Sequence, residues 1–473
     1  VKVLLLNPPT VDEKRFIREG RCTQEQGVWA TLWPPLSLAT IGAVLEEASC
    51  RVQIIDCPAQ GVPFHALEQL IRAFMPDLVV WSTGTPSIKS DLKLASFVKR
   101  LNTGILTAVF GTHVTVFDKQ SLELFPDIDY VVRNEPEMTV GDLVRSLTEN
   151  GSPKEVRGLT YRQKNGEISA NPPRPFIEPL DKLPFPAWHL LDLNRYHLPL
   201  KGTRYLMVAP QRGCPYRCSF CTCQTYYGKR LRKRSIKSVV KEIEYDIEQY
   251  GVRDFFFWAE TFVLDKKYVS ALCSAIIERG LPIAWTSNSR VDTVDSGLLK
   301  LMAEAGCWMI SYGIESGSQT ILDAAHKGTT PEQALQAVRS AREAGIKTVG
   351  HFILGLPGET KESLESTIEY ARTLPLDLAQ FYCAVPFPGS SLYEQALNEG
   401  WIPDHNFNDF KQDHALMRLP TLSPEEVNRY RALAYKRFYF RPGSVLRALK
   451  LISWKNARGL LASFKDFWKW LNK

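Results

Sequence analysis

The sequence predicts an α/β protein: two successive strand–helix series followed by a helical, basic C-terminal region. Three observations carry this. Residues 1–150 alternate short apolar runs with helical patterns, as a doubly wound parallel sheet requires. Residues 204–400 do so again. A cysteine array, QRGCPYRCSFCTC from Gln211 to Cys223, directly follows the first predicted strand of the second series.

In the first series, Val3–Leu6, Val52–Ile55, Leu78–Trp81, Ile105–Phe110 and Tyr130–Val132 are predicted buried strands. Leu36–Glu47, Phe64–Phe74, Ser87–Leu101 and Glu137–Leu147 are predicted helices. Ligands of such sheets sit beyond the C-terminal strand ends. Those ends carry Asp56, Pro58 and Gly61; Ser82 and Thr85; and Gly111 and His113. A lone His in such a place is more often a hydrogen-bonded structural group than a ligand. Residues 151–203 read as a connector. Leu159–Gln163 and Ile168–Asn171 flank Asn165-Gly166, a hairpin signal, and six prolines from Pro172 to Pro186 stiffen an extended strap.

In the second series, strands are predicted at Tyr205–Ala209, Phe255–Trp258, Ile283–Thr286, Met309–Tyr312, Thr348–Ile353 and Gln380–Cys383. Helices include Ile236–Tyr250 and Lys361–Leu374. Cys214, Cys218 and Cys221 form a C-x3-C-x2-C array in a loop favoured by Gly213 and Pro215. Three thiolates so close can hold three corners of an iron–sulfur cube. The fourth iron is then left open to a small molecule. A zinc knuckle asks for four ligands, usually as two pairs, and no second pair follows. Cys223 reads as a pocket-lining or inert thiol. Cys22, Cys50 and Cys57 lack the spacing of a second cluster.

Ten cysteines in 473 residues are no disulfide framework, and cluster-binding thiols imply a reducing compartment, the cytoplasm. No run of ~20 apolar residues exists to cross a bilayer. VKVLLLNPPT lacks a basic start and cleavage site, and reads as a strand rather than a signal peptide. The net charge of +7 is local: from Arg431 onward eleven basic residues face one acid, Asp466. Pro424–Phe440 is predicted helical with Ser423 as its cap. Leu460, Leu461, Phe464, Phe467, Trp468 and Leu471 then recur at helical spacing, with Lys465, Lys469 and Lys473 between them. Such a helix suits a membrane surface or an ordinary docked position equally. No nucleic-acid module accompanies the charge.

The cysteine array, with Phe220 before its last Cys, resembles the signature of the radical SAM superfamily. The resemblance implies a [4Fe–4S] cluster on Cys214, Cys218 and Cys221, with S-adenosylmethionine (SAM) on the open iron. It further implies a partial (β/α)6 barrel over 204–400, with SAM held at consecutive strand ends. Phe220, Glu260 and Thr261 in WAETF, Ser287 and Arg290, Glu315 in GIES, and Gly355 in GLPGET are the residues concerned. Trp33–Ala39 and Tyr130–Glu137 resemble the Rossmann-like cobalamin-binding domain that precedes many such barrels. This implies cobalamin against Asp56, Pro58, Gly61, Ser82, Thr85, Gly111 and His113. Pro58 stands where the family's cobalt-ligating His would be, so cobalamin would lack a protein lower ligand. TPSIKSD, VVRNE, KRLRKRS and FYFRP are similar to hopanoid-associated members.

The function so implied is reductive cleavage of SAM to a 5′-deoxyadenosyl radical. That radical would functionalise an unactivated carbon of an apolar, ring-bearing or lipid-like natural product, foremost by methyl transfer. Ring contraction or closure is the alternative within the class. A barrel working without cobalamin, and a non-catalytic metal protein docking on membranes, are the alternatives outside it. The implied electron donor is a flavodoxin or ferredoxin, and no nucleic acid is expected.

Overall fold

The computed structural model describes residues 1–10, 15–19, 22–25, 32–198, 201–402 and 406–441. The helical spacing expected from Leu460 to Lys473 lies outside them. Two sheets organise the chain, the first mixed and the second all parallel. The first runs, edge to edge, Arg51–Asp56, Lys2–Asn7, Leu78–Ser82, Leu106–Phe110, Tyr130–Val132, Leu159–Arg162 and Ile168–Ala170. Its first five strands are parallel, and the last two join antiparallel. The hairpin expected in the connector therefore extends this sheet. Val3, Leu4, Leu5 and Leu6 are all fully buried, as a strand covered on both faces demands. Strand order reverses between Lys2–Asn7 and its two neighbours, which opens a crevice at the C-terminal ends.

Helices Leu36–Glu47 and Phe64–Phe74 stand where the sequence predicts. The single helix expected over Ser87–Leu101 is instead a 3-10 turn at Thr85–Ser87 and two helices, Ile88–Leu92 and Leu94–Leu101. Asp91 is wholly buried and accepts from Arg18 Nε and Nη2 (2.9 and 2.8 Å), Ser87 Oγ (2.6 Å) and Thr83 Oγ1 (2.8 Å). Arg18 comes from an antiparallel strand pair, Phe16–Glu19 with Cys22–Glu25, that apolar patterning does not reveal.

The second sheet is an open half-barrel of six parallel strands in chain order: Tyr205–Val208, Asp254–Phe257, Ala284–Arg290, Cys307–Glu315, Lys347–Leu354 and Leu378–Cys383. Two of these outrun their predicted ends. Ser287, Arg290 and Glu315, expected just beyond strands, lie on them. Helix Pro424–Tyr439 closes the free edge of Leu378–Cys383. Its Ser423–Glu426 capping box fixes its start. Arg431 Nε donates to Phe381 O (2.7 Å), Tyr435 Oη accepts from Phe381 N (3.2 Å), and Tyr439 Oη bonds both Ala379 N (3.1 Å) and Ala379 O (2.8 Å). Backbone groups that a neighbouring strand would have paired are satisfied by side chains.

At the fifth strand end, the backbone N–H groups of Gly355 and Leu356 donate to Glu359 Oε2. Burial lifts the Glu359 carboxyl from 4.5 to about 8. A raised carboxyl is neutral in the folded state while the unfolded chain ionises. Stability is therefore full below pH ~4.5 and is lost progressively as pH rises through about 8, by a few kcal/mol. Glu359→Gln is expected to flatten that part of the pH–stability curve, measured by urea unfolding from pH 5 to 9.

Candidate active site

The cluster loop leaves the first barrel strand and is pinned at several points. Gln211–Arg212 pairs with Arg232–Lys233. Gly213 has φ +89°, and a Cβ there would sit 2.2 Å from Arg230 O, so only glycine lets the chain turn here. Its N–H donates to Glu260 Oε2 at 3.1 Å. Ser219 N donates to Ala325 O and Leu392 N to Ser219 O, both at 2.9 Å. Cys221 N donates to Cys218 O at 3.1 Å, and Cys223 N to Cys221 Sγ at 3.5 Å. Cys214 is buried, with Sγ 3.9 Å from Thr261 Oγ1; Cys218 and Cys221 are half-buried.

Arg290 faces this loop. Its guanidinium lies 3.6 Å from the centre of the Tyr216 ring, and Nη1 is 3.9 Å from Cys218 Sγ. Two 2.9 Å bonds to Asp292 and one of 2.7 Å to Lys327 O fix its plane. Lys327, buried, donates from Nζ to Glu315 Oε1 at 2.6 Å. Burial pushes the Cys218 thiol up; Lys327 and Arg290 pull it down. Three thiols, with two fixed cations near Cys218 to balance thiolate charge, fit an iron–sulfur cube.

Glu260, Thr261 and Arg290 therefore gather at the cluster loop that carries Phe220, with Glu315 one strand further and Gly355 at the next strand end. Ser287 does not join them. It is an odd number of residues from Arg290 on one strand, so it points to the opposite face. Its buried Oγ has no partner there. Asn288 shares Arg290's face. Lys327, Asp292 and Tyr216 have no periodic signal in sequence. A row across four adjacent strands, Arg290, Gly313, His351 and Gln380, runs along this inner face. His351 Nδ1 is 3.3 Å from Tyr382 Oη, which donates to Gln380 Oε1. Below them Phe256 and Trp258 meet Trp33 of the first domain edge-on, with centroids 5.5 and 4.9 Å apart.

In the first domain, Asp56 and Gly61 bound one helical turn, Cys57–Gln60. The buried Asp56 carboxylate accepts from Asn7 Nδ2 (2.9 Å), Ala59 N (3.3 Å) and Tyr196 Oη (2.7 Å), so it is a cap and not an open ligand. Pro58 lies inside that turn. Ser82 and Thr85 are buried at the next strand end. His113 Nδ1 is 3.3 Å from Thr85 Oγ1, and its ring meets Phe407 at 4.6 Å. Burial lowers His113 to about 3, leaving it neutral. Gly111 has φ +141°, and a Cβ would lie 2.2 Å from Thr83 O. Thr112 Oγ1 is buried without a partner. Gly111 is thus needed for packing on Thr83, and the orphaned Thr112 hydroxyl suits a bound corrinoid better than the fully bonded Asp56 does.

The two strand-end faces meet. Helix Thr112–Val116 packs against Cys223–Tyr227, which follows the last cluster cysteine. Asn134 Nδ2 donates to Thr225 O (2.6 Å), and Thr225 Oγ1 to Gly389 O (2.7 Å).

The three-cysteine loop of one domain thus abuts the strand-end crevice of the other, and comparison with known proteins says which family carries this arrangement. Residues 208–371 match the radical SAM superfamily and residues 27–144 the B12 binding domain. An uncharacterized methyltransferase of Pyrococcus horikoshii is 34% identical over 94% of both chains. An anaerobic magnesium-protoporphyrin IX monomethyl ester cyclase of Cereibacter sphaeroides is 31% identical over 92% of this chain and 72% of its own. The structure of TsrM from Kitasatospora setae, a radical SAM methyltransferase with cobalamin and a [4Fe–4S] cluster bound, superposes with TM-score 0.69. It is 21% identical, covering 84% of this chain and 75% of that one. The chain belongs to the radical SAM superfamily, among the members whose barrel follows a B12-binding domain.

Proposed function

We propose that this protein is a cobalamin-dependent radical SAM methyltransferase acting on an amphiphilic small molecule. The observation that carries the reading is the junction of the cysteine loop with the Gly111–Val116 strand end. When bound, the cluster, SAM and corrinoid supply one-electron cleavage of SAM to the deoxyadenosyl radical and a transferable methyl group. The protein's own work is holding and shielding. Cys214, Cys218 and Cys221 would hold the cluster, and Glu260 fixes its loop through Gly213 N–H. Arg290 and Glu315 would face the SAM carboxylate and ribose. Ser82, Thr85, Gly111 and Thr112 would cradle the corrinoid. Trp33, Phe256 and Trp258 form an apolar wall that excludes water. The polar row of His351, Tyr382 and Gln380 lies on the same inner face, which favours a substrate that is apolar with one hydrogen-bonding group.

Exposed Arg217 and Lys229 near the cluster suit an acidic one-electron carrier of flavodoxin or ferredoxin type. Anaerobic reconstitution followed by SAM turnover tests the reading. Corrinoid absorbance, S-adenosylhomocysteine and deoxyadenosine together support it; deoxyadenosine alone, with no corrinoid, sinks it. The cyclase similarity favours ring closure as a second reading, which labelled methyl absent from the product would select. Among the described residues no helix is long and apolar enough to cross a membrane. We assign the basic tail to an anionic membrane surface. Salt-sensitive co-sedimentation of the full chain with phosphatidylserine vesicles, abolished by truncation after Arg441, is the expected result.

A further inference from the structure

The turn Asn134-Glu135-Pro136-Glu137 in the first domain has no role in the chemistry above, yet it grips both flanks of the cluster loop. Arg212, two residues before Cys214, donates from Nη1 to Glu135 Oε1 (3.1 Å) and from Nη2 to Glu137 Oε1 (2.6 Å). Arg232, beyond the loop, donates from Nη1 to Glu135 Oε2 (2.9 Å) and Ile177 O (2.8 Å), and from Nη2 to Tyr227 O (2.7 Å). Glu135 Oε2 also accepts from Ile177 N (2.8 Å). Asn134, held at φ +62°, donates from its backbone N to Thr115 Oγ1 (2.9 Å) and from its side chain to Thr225 O. The Arg212 side chain is 8% exposed and Glu137 1%.

A buried ion pair is weak glue, because the desolvation of both charges offsets most of their attraction. It is a good ruler. A guanidinium spanning two carboxylates accepts few geometries, whereas an apolar contact slides. Thr115 and Thr225 flank the place where the two strand-end faces meet, and the same turn bonds to both. We propose that Arg212, gripped by Glu135 and Glu137, is a positioning residue that sets the separation between the iron–sulfur cluster and the corrinoid. This rests on the proposed function. Methyl transfer needs the reacting carbon placed between two centres, and a displacement of about 1 Å costs on the order of 10²-fold. Reductive cleavage of SAM needs only one of them.

The test is the dipolar distance between cob(II)alamin and the reduced cluster, measured by pulsed electron paramagnetic resonance on the full reconstituted chain. Arg212→Lys keeps the charge and loses the fork. Glu137→Gln keeps the shape and loses one charge. Both are expected to shift or broaden the distance by about 1 Å or more. Both are also expected to lower S-adenosylhomocysteine relative to deoxyadenosine by about tenfold or more. Arg234→Met breaks an equally buried pair with Glu242, which lies beside Arg212 but bonds neither Glu135 nor Glu137, and is expected to cost stability without moving the distance. If Arg212→Lys does not fold, Glu137→Gln decides alone. Distances in the variants as narrow as in the parent, and centred on the same value, overturn the clamp. No cob(II)alamin signal in the parent overturns the proposed function instead, and the clamp with it.

Discussion

Replacing any one of Cys214, Cys218 or Cys221 by Ala is expected to give a folded protein with no iron–sulfur absorbance and no SAM cleavage above background. The loss should exceed ~10³-fold, since the cysteines act as one unit and not as additive contributors. Folding should survive because the loop is held by other bonds. Gly213 is tied to Glu260, and Ser219 is tied to both Ala325 and Leu392. Circular dichroism and the iron content of anaerobically purified variants separate the two effects. A Cys221→Ala variant that still carried a full complement of iron and cleaved SAM would remove the radical reading.

The second large effect is expected at Arg290. Its guanidinium is stacked on Tyr216, bidentate to Asp292 and in contact with Cys218 Sγ. Arg290→Ala leaves Asp292 without its partner and takes a fixed cation from beside the cluster. A fall of about 10²- to 10³-fold in SAM cleavage is expected, with cluster assembly intact by absorbance. Arg290→Lys should recover little, because an ammonium offers neither the plane nor the fork. Cleavage within about threefold of the parent in Arg290→Ala would show that this cation does not face SAM.

Much of this was legible because parallel strands buried on both faces write themselves as apolar runs, and amphipathic helices as a 3.6 period. Helix Ile236–Tyr250 stands as predicted for that reason. What failed to show was polar by function. Strands Ala284–Arg290 and Cys307–Glu315 run past their apolar segments into Asn288, Arg290, Gly313 and Glu315, where the inner face must be polar to hold ligands. Asp56 and Gly61 had the spacing of a ligand motif, and their chemistry in the fold is that of a helix cap. Arg18 and Asp91 meet across 73 residues, and no local pattern announces such a pair. The same holds for Lys327 with Glu315. The charged run KRLRKRS was visible, but not that two of its arginines, Arg232 and Arg234, turn inward.

The helix laid along the last barrel strand has a further consequence. With Arg431, Tyr435 and Tyr439 occupying the main-chain donors and acceptors of residues 379–381, no second chain can add a strand on that side. Any strand-to-strand association of the intact protein must therefore use another sheet edge. Loss of helix Pro424–Tyr439 itself would uncover that edge as a ready template for stacking one half-barrel on the next.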